Sequence, residues 1–477
     1  MSQGLAGLER LNARVRQDLE ALGSPAGWVK PRAAPGGSRA LDVVIVGGGQ
    51  SGLGAAFGLI REGVSELLVL DENPEGQEGP WATYARMITL RTPKHLTAID
   101  FGMPSLTFRA WWEAQFGPEG WAALDKIPRQ DWMRYLSWYR AVLGLPVKNR
   151  VKVTAVSPAG PGLFRLSVEG EGAPEGGVLH ARKVVMATGI QGGGEWWTPD
   201  FVKRALPPHL YAHTSEEIDY AALKGGSIGI LGGGASAFDN AQHALAEGVA
   251  EAHVFVRRAD LPRVNPIRHM EVSGLIRGFA LLDDSRRYAA LDHFLKLNQP
   301  PTNDTFARAA AHPGFRLHLG APWEAVREVE GRAEVTTPHG QFRFDRLVLS
   351  TGLKTDVALR PELAELSPLV CLWRDRYRPP EGRANPLIDD HPYLGPGFEF
   401  LPKTPEGAEA LHGLFAFNYS ALASLGLSAS AISGLRVALP RLVSGVARQL
   451  FLDDQDALIQ DYLDYDEVEF EGRWPAR

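Results

Sequence analysis

Leu41-Asp-Val-Val-Ile-Val46, running directly into Gly47-Gly-Gly-Gln-Ser-Gly52, decides the fold of this chain. The apolar run has the pattern of a strand buried on both faces, and an Ala/Leu-rich helical pattern follows the glycines. This is GxGxxG in the context its chemistry requires. Gly47 permits the tight turn and Gly49 lets the backbone approach a diphosphate. Gly52 lets the helix lie close on the strand, with the free amides at Gln50 and Ser51 and the helix dipole facing the anion. A second apolar run, Leu67-Leu-Val-Leu70, ends at Asp71 and Glu72, where a carboxylate accepts hydrogen bonds from ribose hydroxyls.

The same logic recurs in Ser227-Ile-Gly-Ile-Leu231 and Gly232-Gly-Gly-Ala-Ser-Ala237, with Gly232, Gly234, Ala235 and Ser236 at the phosphates and Ala237 as an accepted variant of the third glycine. Here the second strand, His253-Val-Phe-Val256, ends in Arg257 and Arg258 instead of an acid. An acid would repel a ribose 2′-phosphate, whereas guanidinium forks bind phosphate bidentately, so this site is expected to select NADPH over NADH. Two further apolar runs, Val184 to Thr188-Gly189 and Leu347 to Thr351-Gly352, bracket the second fingerprint. Glycine at each exit lets the backbone pass close to a nucleotide or turn between domains. The expected fold is α/β, with two Rossmann-like dinucleotide-binding domains. Residues 1–39 form an N-terminal helix and linker, residues 40–192 and 346–477 a discontinuous outer domain, and residues 193–345 the NADPH domain inserted in it.

With these motifs the chain resembles the two-dinucleotide-binding flavoproteins, specifically the class B flavin-dependent monooxygenases, over most of residues 40–445. That group holds the flavin-containing monooxygenases, the Baeyer-Villiger enzymes and the ornithine and lysine N-hydroxylases. Gly79-Pro-Trp81 resembles the group's Gly-Gly-Thr-Trp; Thr89-Leu-Arg-Thr-Pro93 and Ile127-Pro-Arg-Gln-Asp-Trp-Met-Arg-Tyr135 resemble N-hydroxylase segments. The resemblance implies FAD on the first fingerprint, in the outer domain, and NADPH on the second. It implies an FAD site that includes Trp81 and Val153, with Asn418 replacing the aspartate that contacts the ribityl chain. Ser428 or Ser430 would cap a helix from Ala431 to Leu442 whose N-terminus faces the flavin. Arg91, Thr92 and Lys94 would form the flavin-facing catalytic wall, with Arg91 as electrostatic partner of the peroxide or the substrate. The Baeyer-Villiger signature is absent; His213 holds the place of its histidine without the glycine and aromatic partners. The lysine with which N-hydroxylases hold the amino-acid carboxylate is not found either, so the substrate does not carry over.

The implied reaction is monooxygenation: NADPH reduces FAD, oxygen gives a flavin hydroperoxide, and a small soluble substrate is hydroxylated or oxygenated. An NADPH-dependent flavin dehydrogenase or oxidase, and a non-catalytic flavoprotein redox sensor, are the alternatives. Composition narrows the setting. A net charge of −6 disfavours nucleic acid. A single cysteine, Cys371, excludes an intrachain disulfide and CxxC redox chemistry. No signal segment is evident and no metal-ligand spacing occurs, so a cytoplasmic enzyme without a metal is expected. Residues 411–435 contain no Asp, Glu, Lys or Arg, and their serines and glycines point to a buried cofactor-facing segment, not a membrane span. Leu5, Leu8, Leu11, Val15, Leu19 and Leu22 recur at helical spacing, which predicts an amphipathic helix packed on the FAD domain or on a second subunit of a homodimer. Residues 259–320 exceed what a minimal nucleotide domain needs and suggest a lid or part of a substrate pocket. Asn385 to Tyr393 reads as a capped, rigid turn, with substrate contact by Asp389, Asp390 or His391 as the functional alternative.

Overall fold

The computed structural model describes residues 2–429 and 431–475; Ser430 lies outside them. Strand Leu41–Val46 is central in a seven-stranded sheet, between Leu67–Leu70 and Val178–Met186 and parallel to both. The order continues outward to Val147–Lys148 on one side and to Phe164–Glu169 and Lys152–Pro158 on the other. The late strand Leu414–Phe415 joins beside Val184 and Val185, which brings the C-terminal part of the chain into this first sheet. Helix Gln50–Arg61 covers one face and is in turn crossed by the long helix Ile432–Leu463. Small residues set that crossing: a Cβ at Gly54 would stand 2.5 Å from Leu439, and one at Gly58 2.6 Å from Val443.

The second sheet has five parallel strands in the order Phe315–Leu319, Glu251–Val256, Ser227–Leu231, Arg346–Leu349, Tyr211–His213. Arg346–Leu349, expected in the returning part of the outer domain, belongs instead to this sheet. Its apolar residues fill the slot between Ser227–Leu231 and Tyr211–His213, where both neighbours give it parallel hydrogen bonds. The connection between the sheets is a ribbon of Gly194–Trp196 paired antiparallel with Leu353–Thr355. The two backbones meet so closely that a Cβ at Gly194 would stand 1.8 Å from the Lys354 carbonyl oxygen.

The N-terminal helix, Ser2–Leu22, packs on helix Phe108–Ala123, with Leu11 and Val15 buried in the main core. Residues 411–429 and 431–435 include the short strand, two short helical turns and the start of the C-terminal helix, and are almost wholly buried. Among the described residues no helix is long and apolar enough to cross a membrane.

Buried ion pairs fasten the C-terminal helix to the first sheet. Arg182, on strand Val178–Met186, donates to both carboxylate oxygens of Asp454 at 2.9 and 2.8 Å and to the Lys30 carbonyl at 2.9 Å. Beside it, Lys183 Nζ and His412 Nε2 each lie 2.7 Å from the Asp453 carboxylate. Burial alone would raise the Asp453 pKa, but the His412 hydrogen bond and the Lys183 charge outweigh it and hold the group down at about 2, against an ordinary 3.8. A depressed carboxylate stabilises the fold fully above its unfolded pKa and ceases to do so as pH falls through its folded one. Asp453→Asn is therefore expected to lower the urea midpoint near pH 6, and the gap from wild type should close as pH drops from about 4 to about 2.

Candidate active site

The turn after Leu41–Val46 opens on a cleft of about 750 Å³. Gly47 has φ +110°, and a Cβ there would meet the Ala187 carbonyl oxygen at 2.4 Å. At Gly52 a Cβ would lie 1.8 Å from the Gly47 carbonyl oxygen, so only glycine lets helix Gln50–Arg61 start so near the strand. Gly49 differs: no protein atom lies within 4 Å of its would-be Cβ, although the residue lines the cleft. The space is open on the side from which a diphosphate would approach. No side chain caps the helix here, so its first amides are free for an anion. Gln50 and Ser51 line the same wall; Gln50 accepts from Trp132 Nε1 at 3.0 Å, and Ser51 Oγ donates to the Ala429 carbonyl at 2.8 Å.

Asp71, Glu72, Trp81, Val153, Thr188 and Gly189 also line this cleft. The Asp71 carboxylate accepts from the Gly48 amide at 2.7 Å and from the Asn73 amide at 2.8 Å, which holds the glycine turn in place. Burial raises its pKa in opposition to those hydrogen bonds. Asn418 and Ser428, expected at the flavin, do not line the cleft. Asn418 is buried, donating to Met186 O at 3.2 Å, Thr188 Oγ1 at 3.3 Å and Gly192 O at 3.3 Å, and accepting from the Ser420 amide at 3.0 Å. Its side chain is occupied in ordering the Thr188 loop. The cap of the C-terminal helix is Ala431, without a side-chain hydrogen bond, and Ala429 is the residue that reaches the cleft wall.

A second cleft, of about 720 Å³, follows the second fingerprint. Gly232 has φ +141°, with the Ser350 carbonyl oxygen 2.4 Å from a Cβ there. Gly232, Gly234, Ala235 and Ser236 line the cleft, while Ala237 is fully buried against the sheet. Arg257 and Arg258 stand exposed at its rim, Arg258 donating to the Lys296 carbonyl at 3.1 Å. Thr351 and Gly352 line it too, the threonine hydroxyl bonding the Trp197 carbonyl. The residues just after helix Asp284–Leu297, Asn298 and Gln299, add to this wall.

The catalytic wall expected from Arg91, Thr92 and Lys94 is not assembled at the first cleft. Lys94 Nζ donates to the Trp121 carbonyl at 2.7 Å and to Leu124 O, and lies 4.8 Å from the centre of the Trp121 ring. It satisfies the last carbonyls of helix Phe108–Ala123. Thr92 lines neither cleft. Arg91 lines the second cleft and pairs with Asp239 of helix Ala235–Ala246. Each partner is more than a hundred residues from the other or belongs to a helix end, so no local pattern announces these contacts.

Trp81, Tyr84, Ile190, Trp196 and Ser215 line both clefts, which therefore meet there. The Tyr84 ring stands edge-on to Trp196 at 5.9 Å, and Trp196 lies 5.1 Å from the His213 ring. His213 Nδ1 accepts from the Ser215 amide at 3.1 Å, and burial lowers its pKa to about 4, so the ring is neutral near pH 7. Sequence reasoning missed Tyr84 and Trp196. The available signal was Gly192-Gly-Gly-Glu-Trp-Trp197, glycines and paired tryptophans at the interdomain exit.

Farther out, helix Asp284–Leu297 packs Tyr288 and Leu291 against Trp373 and Ile388. The Asn385 to Tyr393 loop is a capped turn: Asn385 accepts from the Leu387 amide at 3.1 Å and Asp389 from Tyr288 Oη at 2.8 Å. Among the described residues no cluster of three or more His, Cys, Asp or Glu side chains could hold a metal ion.

A family model described as FAD-NAD(P)-binding matches residues 44–191, and one for L-lysine 6-monooxygenase/L-ornithine 5-monooxygenase matches residues 122–277. The chain is 61% identical over 472 residues, 98% of each protein, to the FAD-dependent urate hydroxylase of Xanthomonas campestris pv. campestris. Its fold matches the ornithine hydroxylase of Pseudomonas aeruginosa, with TM-score 0.66 and 16% identity over 86% of this chain and 100% of that one. L-lysine 6-monooxygenase of Pseudomonas syringae matches at TM-score 0.66 and 17% identity, over 86% of this chain and 99% of that one.

Proposed function

The chain belongs to the family of the FAD-dependent urate hydroxylase, within the FAD- and NADPH-dependent flavin monooxygenases, and on that premise we propose that its own substrate is urate. The identity of 61% across nearly the whole chain carries this reading. It is an FAD- and NADPH-dependent monooxygenase acting on a small molecule with oxygen. The balanced reaction consumes NADPH, a proton, O₂ and urate, and releases NADP⁺, water and hydroxylated urate. When bound, the flavin takes hydride from NADPH and activates oxygen.

In this reading Gly47, Gly49, Gln50 and Ser51 receive the FAD diphosphate, with Gly52 letting the helix start close on the strand, which fits the open space at Gly49 and the uncapped helix start. Glu72, with Asp71 behind it, faces the FAD ribose, and Thr188 and Gly189 border the flavin chain. Gly232, Gly234, Ala235 and Ser236 receive NADPH. Urate is a planar fused ring, and the junction lined by Trp81, Tyr84 and Trp196 offers it flat aromatic walls between the two cofactors. Those rings also keep water from the reacting centre. The neutral His213 behind Trp196 adds no charge there. A cytoplasmic location, without a nucleic-acid or membrane partner, completes the proposal.

Purified enzyme given NADPH in air, with and without urate, tests it. Urate should speed NADPH oxidation, with one urate and one O₂ consumed per NADPH and little peroxide. Peroxide equal to the NADPH consumed, with urate intact, would remove urate as substrate and favour an oxidase. Arg257 and Arg258 are proposed to hold the 2′-phosphate. Arg257→Ala with Arg258→Ala should cost NADPH about ten- to a hundredfold in kcat/KM and leave NADH nearly unchanged. An unaltered NADPH/NADH ratio would sink that assignment.

A further inference from the structure

We propose that Arg91 reaches from the FAD side of the molecule into the second cleft and binds the diphosphate of NADPH, so that the nucleotide bridges the two domains. This rests on NADPH occupying that cleft, with its 2′-phosphate end at Arg257 and Arg258.

Arg91 belongs to the segment between strand Leu67–Leu70 and helix Phe108–Ala123, which builds the first cleft's side of the molecule, yet it lines the second. It shares that wall with Gly233, Gly234, Ala235 and Ser236, at the start of helix Ala235–Ala246, where no side chain caps the free amides. Its backbone is pinned in place, the Arg91 carbonyl accepting from Arg268 Nη2 at 3.0 Å. Only Nη2 is used, on the Asp239 carboxylate; Nη1 and Nε make no hydrogen bond among the described residues, and the side chain is 22% exposed. Nη2 serves the carboxylate, and the Nη1 and Nε donors remain for a phosphate oxygen.

Asp239 explains why an arginine is needed. It lies one turn into the helix, on the same face as Ala235 and Ser236, and is itself nearly buried. Burial raises its pKa and the Arg91 charge opposes this. An unmatched carboxylate so close to the diphosphate would repel it. Arg91 cancels that charge, and its remaining N–H donors add a direct contact. The nearest lysine of its own segment, Lys94, is committed to Trp121 and Leu124.

Calorimetric titration of the FAD-loaded protein with NADP⁺ and with 2′-AMP, which lacks the 5′-diphosphate, tests the proposal. Arg91→Ala is expected to weaken NADP⁺ by about ten- to a hundredfold, with 2′-AMP affinity and FAD content unchanged. Arg91→Ala with Asp239→Asn removes the stranded carboxylate and keeps the fold free of a lone buried charge. It should remain weak for NADP⁺, because the direct contact is still missing. Wild-type NADP⁺ affinity in either variant, or an equal loss for 2′-AMP, would overturn the proposal. Unchanged 2′-AMP binding in Arg257→Ala/Arg258→Ala would instead remove its premise and the proposal with it.

Discussion

Gly52→Ala yields a chain that purifies with little or no FAD. The added Cβ would lie 1.8 Å from the Gly47 carbonyl oxygen, a backbone atom that cannot rotate away. Gly47 in turn is confined by its φ of +110° and by Ala187 behind it, so the helix must move instead. That displacement swings the first amides of helix Gln50–Arg61 off the cleft and breaks the packing of Gly54 and Gly58 on Leu439 and Val443. Overpacking costs about 1–3 kcal/mol or more, and at 1.4 kcal/mol per tenfold this lowers FAD affinity by about ten- to a hundredfold. Gly49→Ala separates the two consequences, since its Cβ meets no protein atom within 4 Å. That variant should unfold at the wild-type urea concentration and still bind FAD poorly. Flavin absorbance per chain and a urea titration check both. A fully loaded Gly52→Ala protein would show that the helix start tolerates displacement and that the close approach is not what positions the diphosphate site.

Arg182→Ala should be the most destabilising single substitution outside the nucleotide sites. The side chain is 1% exposed and is the direct partner of the buried Asp454. Asp42 lies nearby on the central strand; burial pushes its pKa up to about 6 even with Arg182 opposing the shift. Removing the guanidinium leaves two carboxylates in a poorly solvated site and deprives the Lys30 carbonyl of its donor. Breaking a buried pair from one side costs about 3–5 kcal/mol. The C-terminal helix is what Asp454 holds down, and that helix crosses the helix at the first fingerprint. Loss of stability should therefore be accompanied by loss of FAD. Arg182→Ala with Asp454→Ala, which strands one charge fewer, should recover part of the deficit. The urea midpoints of the two variants measure this; a wild-type midpoint for Arg182→Ala would show that the network holds nothing together.

The site was legible where its signal is local. Gly47, Gly49 and Gly52 announce a phosphate turn because positive φ and a missing Cβ are properties of single residues in a strand-turn-helix frame. Arg257 and Arg258 follow a strand in the expected register and stand exposed at the second cleft. Asn418 was placed at the flavin by resemblance, yet its donors are consumed by Met186, Thr188 and Gly192, an outcome that depends on a loop more than two hundred residues earlier. The run at Arg346–Leu349 reads as a strand of the returning outer domain yet pairs in the second sheet, because an apolar run states that it is buried without stating beside what. Lys94 likewise reads as part of a flavin-facing wall until helix Phe108–Ala123 brings its last carbonyls alongside.

The amino-acid sequence by itself determined that this chain forms two nucleotide-binding α/β units and that their second-strand ends differ in charge. Those features follow from backbone conformation, hydrophobic period and side-chain charge, each of which acts within a few residues. Only the tertiary structure decided that the clefts meet at Tyr84 and Trp196, that Arg91 faces the second cleft instead of the first, and that Arg182 ties the sheet to the C-terminal helix. These are pairings of distant segments. They exist because buried charges must find partners and close-packed surfaces must match, conditions that are met only once the chain has folded.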